Sequence, residues 1–308
     1  MANNLELAKI YTAELDEAIV ADAVTGFMEA NADDLKYNGG NEIKIPKVTM
    51  DGLGDYDRAT GYAPGSITST YETHTLTQDR GRSFMLDAMD IDETNFALEG
   101  IKRLNSFQKN HVAPEIDAYR ISKIATVAIA ADKAGFGYVP AVDTILSQLK
   151  NDIAEIQDVV GDSTELIVMM SRPALAVLEQ ADNVSRFLQA DVMKKGTIET
   201  RVKSLDGIPI VAVPSSRMKT AFAFADGKTA GQESGSFTPA VGAKNVNWLV
   251  FPRFAPMGVS KTEKVRIFSP EENQDADAWR LTYRKYHDLF IADNAVAGMK
   301  ISVKEAEV

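Results

Sequence analysis

The sequence contains no cysteine, so disulfides, thiolate metal sites and a cysteine nucleophile are excluded, and packing and polar contacts must hold the fold. Nowhere do about 18 apolar residues run together, and the start MANNLELAKI has no basic segment followed by an apolar core. Neither membrane insertion nor a secretory leader is therefore indicated. Basic runs are missing as well. Lys and Arg total 33 against 44 Asp and Glu, a formal charge of -11, which argues against gripping nucleic acid through its phosphates. Histidine is scarce: His74, His111 and His287 are scattered, no HExxH or nucleophile elbow accompanies them, and they read as isolated surface residues. What is present is an ordinary globular mix, 45% hydrophobic and 25% charged over 308 residues, long enough for two subdomains with separate cores.

The longest patterned stretch runs from Asp90 to Ala131. Asp90, Asp92, Glu93 and Thr94 suit the exposed amides and positive dipole end of a helix start. Ile101, Leu104 and Phe107, then Ile116, Tyr119, Ile124 and Val127, recur at helical spacing around a single break, Pro114. The pattern predicts one long kinked helix or two helices end to end; about 38 residues at 1.5 Å each would span roughly 57 Å, the reach of an elongated subunit.

Before it, residues 4 to 32 read as a helical arm. Residues 41 to 50, NEIKIPKVTM, alternate as a strand that Pro46 demotes to an edge, and a glycine- and aspartate-rich turn leads to a second strand, Ile67 to Thr77. This long hairpin has too few large apolar residues for a core of its own and should lie on something else, such as another subunit. TQDRGRSFMLDAM reads as a short apolar strand or loop. After it, residues 142 to 160 read as an amphipathic helix on Ile145, Leu149, Ile153 and Ile156, and ELIVMM as a buried strand. RPALAVLEQ is a further helix, and DGIPIVAVP and VNWLVFP are further strands, together a mixed α/β region over about 135 to 250. AWRLTYRKYHDLFIAD alternates as a long strand suited to pair beside the long helix.

Candidate chemistry is thin. Asp51, Asp55 and Asp57 invite a calcium reading, but their spacing is wrong for an EF-hand loop, and a solvated or contact-making turn is preferred. Asp90, Asp92 and Glu93 read as helix caps in preference to paired catalytic carboxylates. The glycines near 135 follow a helix and end in Pro140, so they read as a hinge rather than a dinucleotide fingerprint. Trp248, Trp279, Tyr283 and Phe290 read as sheet packing. Arg80 and Arg82 flank Gly81 and could bind an anion, although a salt bridge within or between subunits is preferred. No catalytic, metal or cofactor site emerges; Asp51, Asp55, Asp57, Arg58, Arg80 and Arg82 are the residues expected at an assembly interface.

TLTQDRGRSFMLDAMDIDETNFALE, continued by VAPEIDAYRISKIA, together with DGIPIVAVP and WRLTYRKYHDLFI, resembles the tailed-bacteriophage major capsid protein family of the Hong Kong 97-type (HK97-like) fold. The resemblance implies an α+β fold with five parts. These are an N-terminal arm at 1 to 36, an extended β-hairpin loop at 37 to 80, a peripheral domain with a long spine helix at 81 to 134, an α/β apical domain at 135 to 250, and a return to the peripheral domain at 251 to 308. It implies a structural protein, not an enzyme, that assembles with itself as pentamers and hexamers into an icosahedral shell around double-stranded DNA. The expected partners are a separate scaffolding protein, because only about 36 residues precede the loop, a portal protein, and packaged DNA held without sequence-specific binding; no membrane and no cofactor are expected. Assembly in the bacterial host cytoplasm and residence in the virion capsid follow from the same resemblance. Lys44 and Lys47 lie in the loop, but no acceptor motif for a covalent cross-link accompanies them. The alternatives are an encapsulin-like cargo compartment and an α/β enzyme with a site between lobes.

Overall fold

The computed structural model describes residues 23–32, 36–37, 42–59, 61–87, 104, 106–181 and 204–307. Most of the expected N-terminal arm and the acidic helix start at Asp90, Asp92, Glu93 and Thr94 lie outside these residues.

A single helical turn, α1 (Phe27–Ala30), precedes a small antiparallel sheet of order β1-β2-β3, made of β1 (Lys36–Tyr37), β2 (Glu42–Met50) and β3 (Ile67–Thr75). Among the described residues β1 pairs with Ile43 and Lys44, and Pro46 pairs with Tyr71 of β3. The chain then runs straight into β4 (Gln78–Asp87), a ten-residue strand where the sequence suggested only a short strand or loop. Its partner is the reason: Gln78 to Asp87 pair antiparallel with His287 to Ala278, some 200 residues further on, which no local pattern reveals.

Helical structure includes Leu104 and Phe107, passes through a π-helical turn at Gln108–Val112, and continues as α2 (Ala113–Ala130). Pro114 is the cause. A proline here lacks an amide and its ring presses on the carbonyl four residues back, and the widened turn, in which the Ala113 amide reaches the Gln108 carbonyl, relieves the crowding. The chain stays helical through the proline. The buried face of α2 then divides: Ile116 packs with Leu104 and Tyr283, while Ile121, Ile124, Ala125 and Ala128 join the main core.

That core is built on a six-stranded sheet of order β5-β14-β11-β6-β8-β7. Its strands are β5 (Ala134–Gly135), β6 (Leu166–Ser171), β7 (Ser204–Leu205), β8 (Ile208–Val213), β11 (Val246–Pro252) and β14 (Lys300–Val303), with the short pair β9 (Phe222–Phe224) and β10 (Phe237–Pro239) set between β8 and β11 in the chain. Ile167, Met169, Leu249 and Phe251 face α2; Leu166, Val168, Met170, Trp248 and Val250 face the opposite side. There they meet α3 (Ile145–Val160), through Ile145, Leu149, Ile153 and Ile156, and α4 (Arg172–Gln180), which Pro173 opens in its first turn. Helices on both faces explain why β6 and β11 read as unbroken apolar runs. One polar group crosses this layer: Trp248 donates to Asp152 at 2.8 Å, and burial pushes that carboxyl above its ordinary range. Asp206 and Gly207, with φ of 50° and 84°, turn β7 into β8 as a tight hairpin requires.

The last sheet has the order β12-β13-β4, where β12 (Pro256–Phe268) and β13 (Ala278–Ile291) form a long hairpin. β13 lies beside the long helix as its alternation suggested, with Leu281 and Tyr283 buried and Arg284 exposed. From Lys285 onward every residue of β13 is buried, and alternation no longer describes it.

Candidate assembly interface

The β2-β3 hairpin has two unlike faces, because residues paired across strands share a face and successive residues alternate. On the inner face Ile43 and Ile45 are buried against Leu76, Tyr286 and Phe290, and the His74 ring lies 5.1 Å from that of Phe290. Further out, Lys47 on the same face bonds Asp293 at 3.0 Å and Glu72 at 3.2 Å. The outer face presents Val48, Met50, Ile67 and Tyr71, paired as Val48 with Ser69, Met50 with Ile67 and Pro46 with Tyr71. These four side chains are 52%, 69%, 71% and 58% exposed, and at the tip Leu53, Tyr56 and Tyr62 are exposed as well. These exposed apolar side chains gather on one face and at the tip of the ribbon.

Of the residues expected at an interface, Asp51, Asp55, Asp57 and Arg58 lie on the exposed tip. Two of the carboxylates shape it. Asp51 accepts from the Ser66 amide at 2.7 Å and its hydroxyl at 3.0 Å, which holds its carboxyl below the usual range, and Asp57 accepts from the Ala59 amide at 2.7 Å. Among the described residues no group of three or more His, Asp or Glu is arranged to hold a metal ion.

Arg80 and Arg82 sit elsewhere, on β4, and bond within the subunit. Arg80 donates to Glu115 at 2.6 Å and to the Ala225 carbonyl at 2.9 Å, tying the strand to α2 and to the loop after β9. Arg82 donates to the Glu233 carbonyl at 2.8 Å, and its guanidinium lies against Gly227 and Gly235, where an added Cβ would come within 2.8 and 3.3 Å. Both glycines have positive φ, 72° and 67°, so both conformation and space call for glycine there.

Sequence reading missed the buried polar groups behind these surfaces. Asp117, fully buried on α2, accepts from the Val24 and Thr25 amides, from the Thr25 hydroxyl at 2.7 Å and from Arg217 at 2.8 Å. Next to it, buried Arg120 donates to the Thr25 carbonyl at 3.1 Å and pairs with Glu29, so the segment before β1 is fastened to the helix by charge. Asp288 accepts from Tyr119 at 2.6 Å and from the Thr77 amide and hydroxyl at 2.8 Å each. Burial, and then Asp288, raise the Tyr119 hydroxyl above its ordinary value. His287 is not a surface residue: it is buried, and desolvation, aided by the positive charges of Arg120, Lys285 and Arg80, drives its pKa well below 6.5. The one available signal was the loss of alternation in KYHDLFI, which places these polar residues in a strand covered on both faces.

No protein-family model and no curated protein sequence matches the chain. Solved structures do. A protein of Mycobacterium phage Che8 superposes with a TM-score of 0.57 at 16% identity, over 87% of this chain and 86% of that one. The mature capsid of bacteriophage PhiM1 gives 0.59 at 14% identity, over 86% and 82%. This chain has the phage capsid fold. The capsid of Cyanophage P-SCSP1u matches this capsid-fold chain equally broadly, with a TM-score of 0.57 at 12% identity over 87% and 84%. In this chain the inner face of the hairpin packs on Tyr286 and Phe290 of β13, and the side chains of its outer face are exposed in the single subunit.

Proposed function

We propose that this chain is a structural shell protein, which associates with copies of itself to form a closed capsid around double-stranded DNA. The observation that carries the reading is the hairpin: one face is buried in its own subunit, while Val48, Met50, Ile67 and Tyr71 on the other are left to a neighbour. Around a closed shell each such contact is repeated by symmetry, so modest individual interfaces sum by avidity. The likeness to phage capsids supports a phage head over a cargo compartment or an enzyme. With a charge of -11 the subunit lines a container for DNA without gripping it. A scaffolding protein and a portal are the further partners of this reading, and the virion capsid, assembled in the host cell, is its location.

The test is assembly of the purified protein, alone and with a co-expressed scaffolding protein, followed by sedimentation and electron microscopy. Shells are expected from the intact chain. Removing residues 51–61 should leave a folded subunit that no longer closes into particles; particles of normal form from that deletion would refute the hairpin's role.

A further inference from the structure

The sheet of β12, β13 and β4 has two sides. Val265 and Tyr283 pack with Ile116 of α2, so the residues that alternate with them point away from that helix. On this far side Lys264 lies directly opposite Arg284, and Arg266, opposite Thr282, has Arg284 and Arg280 as its diagonal neighbours.

Two of the four cations have carboxylates of their own. Arg284 binds Asp79 through Nε at 2.8 Å and Nη2 at 2.5 Å, and Arg280 binds Asp275 at 2.7 Å. Lys264 and Arg266 are exposed, and their side chains have neither hydrogen bond nor ion pair among the described residues. With every group ionised, the far side keeps an excess of two positive charges. Beyond Arg280 the turn between β12 and β13 is acidic, with Glu271, Glu272 and Asp277, so the unmatched charge is that of Lys264 and Arg266, further along the strand. Like charges opposite one another destabilise a sheet, and a carboxylate from outside would relieve them.

The hairpin tip is the complement of that row. Residues 51–66 carry Asp51, Asp55 and Asp57 against Arg58 alone, and Leu53, Tyr56 and Tyr62 stand exposed among them. Every hydrogen bond made by the described residues of this stretch stays within the tip, and the Asp55 side chain has none.

We propose that Lys264 and Arg266 receive the acidic hairpin tip of a second copy of this chain, with Asp55 as the carboxylate that meets Arg266. Met85, exposed on the same side of the sheet, offers apolar contact to the tip. The contact uses a different surface on each copy, so it repeats head to tail and closes into a ring where the rotation allows. It rests on the reading of the chain as a shell subunit and names the surface that its hairpin meets. Against a charge of -11 on each copy these few ion pairs fix where the tip lands, and apolar contact holds it there.

The experiment mixes isotope-labelled and unlabelled full-length chains, couples carboxylates to amines with a carbodiimide, and identifies the joined peptides by mass spectrometry. A mixed-label link from Lys264 to Asp51, Asp55 or Asp57 is expected, in shells or, where none form, in concentrated subunits. Arg266→Glu and Asp55→Lys should each lower the yield of that link about tenfold or more without changing the melting temperature. The two together should restore association and add a link between positions 55 and 266, because the pair is then reversed. No mixed-label link, or single variants that associate as well as the parent, would overturn the docking. Shells formed in spite of that result would leave the shell reading in place without this contact, whereas the link without shells would keep the contact and remove the shell. Single variants that assemble normally and fail only to retain DNA would overturn the docking by giving the row to DNA phosphates.

Discussion

Protonating His287 in the folded chain means placing a positive charge in a dry site beside Arg120, Lys285 and Arg80, so the native state resists it while the unfolded chain accepts the proton near pH 6.5. The folded pKa is depressed, so stability is full above the unfolded value and falls as pH drops below it, by about 1.4 kcal/mol per pH unit from this group. Denaturant melts between pH 7 and 5 should therefore show a loss that His287→Gln largely removes; an unchanged slope would mean the proton goes elsewhere. Asp117 gives the complementary case. It holds Thr25 and Arg217 from the buried face of α2, and Asp117→Ala leaves Arg217 without its carboxylate and the Thr25 amide without an acceptor. A loss of about 3–5 kcal/mol is expected in equilibrium unfolding, the usual cost of removing one partner of a buried pair. Neither residue could be valued from sequence alone. Asp117 looks like any polar residue on a helix, because its partners at Val24, Thr25 and Arg217 lie about 90 to 100 positions away.

Elements whose packing is written in their own period were legible. Ile145, Leu149, Ile153 and Ile156 mark α3, and unbroken apolar runs mark β6 and β11, because a helix stripe and a doubly covered strand each leave a local signature. Elements defined by distant partners were not. β4 carries glycine and two arginines and becomes a strand only by pairing with β13, and the answer to Pro114, a π-helical turn, is a backbone adjustment that residue types do not specify. The hairpin stands between these cases: its strands were readable, its unlike faces only once the register was known. Substituting Val48 and Tyr71 together by Lys should shift the subunit's melting temperature by no more than a few degrees, since both side chains already face solvent, yet abolish particle formation by light scattering. A large fall in melting temperature instead would place those residues in the subunit's own fold.

At the scale of the whole molecule, two sheets share one helix: α2 packs on the six-stranded sheet through Ile121 to Ala128, and on the sheet of β13 through Ile116. Stiffness along that helix joins the hairpin's base to the rest of the subunit. Copies carrying a charge of -11 repel one another at long range, and the outer hairpin face attracts only on contact. Raising salt should therefore speed assembly by screening the repulsion; assembly slowed by salt, read from the same scattering traces, would mean that ion pairs and not apolar contacts hold the shell. The alternation within the hairpin then sorts genetic outcomes by odd and even number. In β2 the odd positions Ile43 and Ile45 pack inside the subunit and the even positions Val48 and Met50 are exposed, the face proposed to meet a neighbour; in β3 the assignment reverses, with Glu72 and His74 turned inward and Ile67 and Tyr71 outward. Lesions of one class should yield insoluble or heat-labile chains, and lesions of the other soluble chains without particles, so the hairpin carries two separable inheritances on a single ribbon.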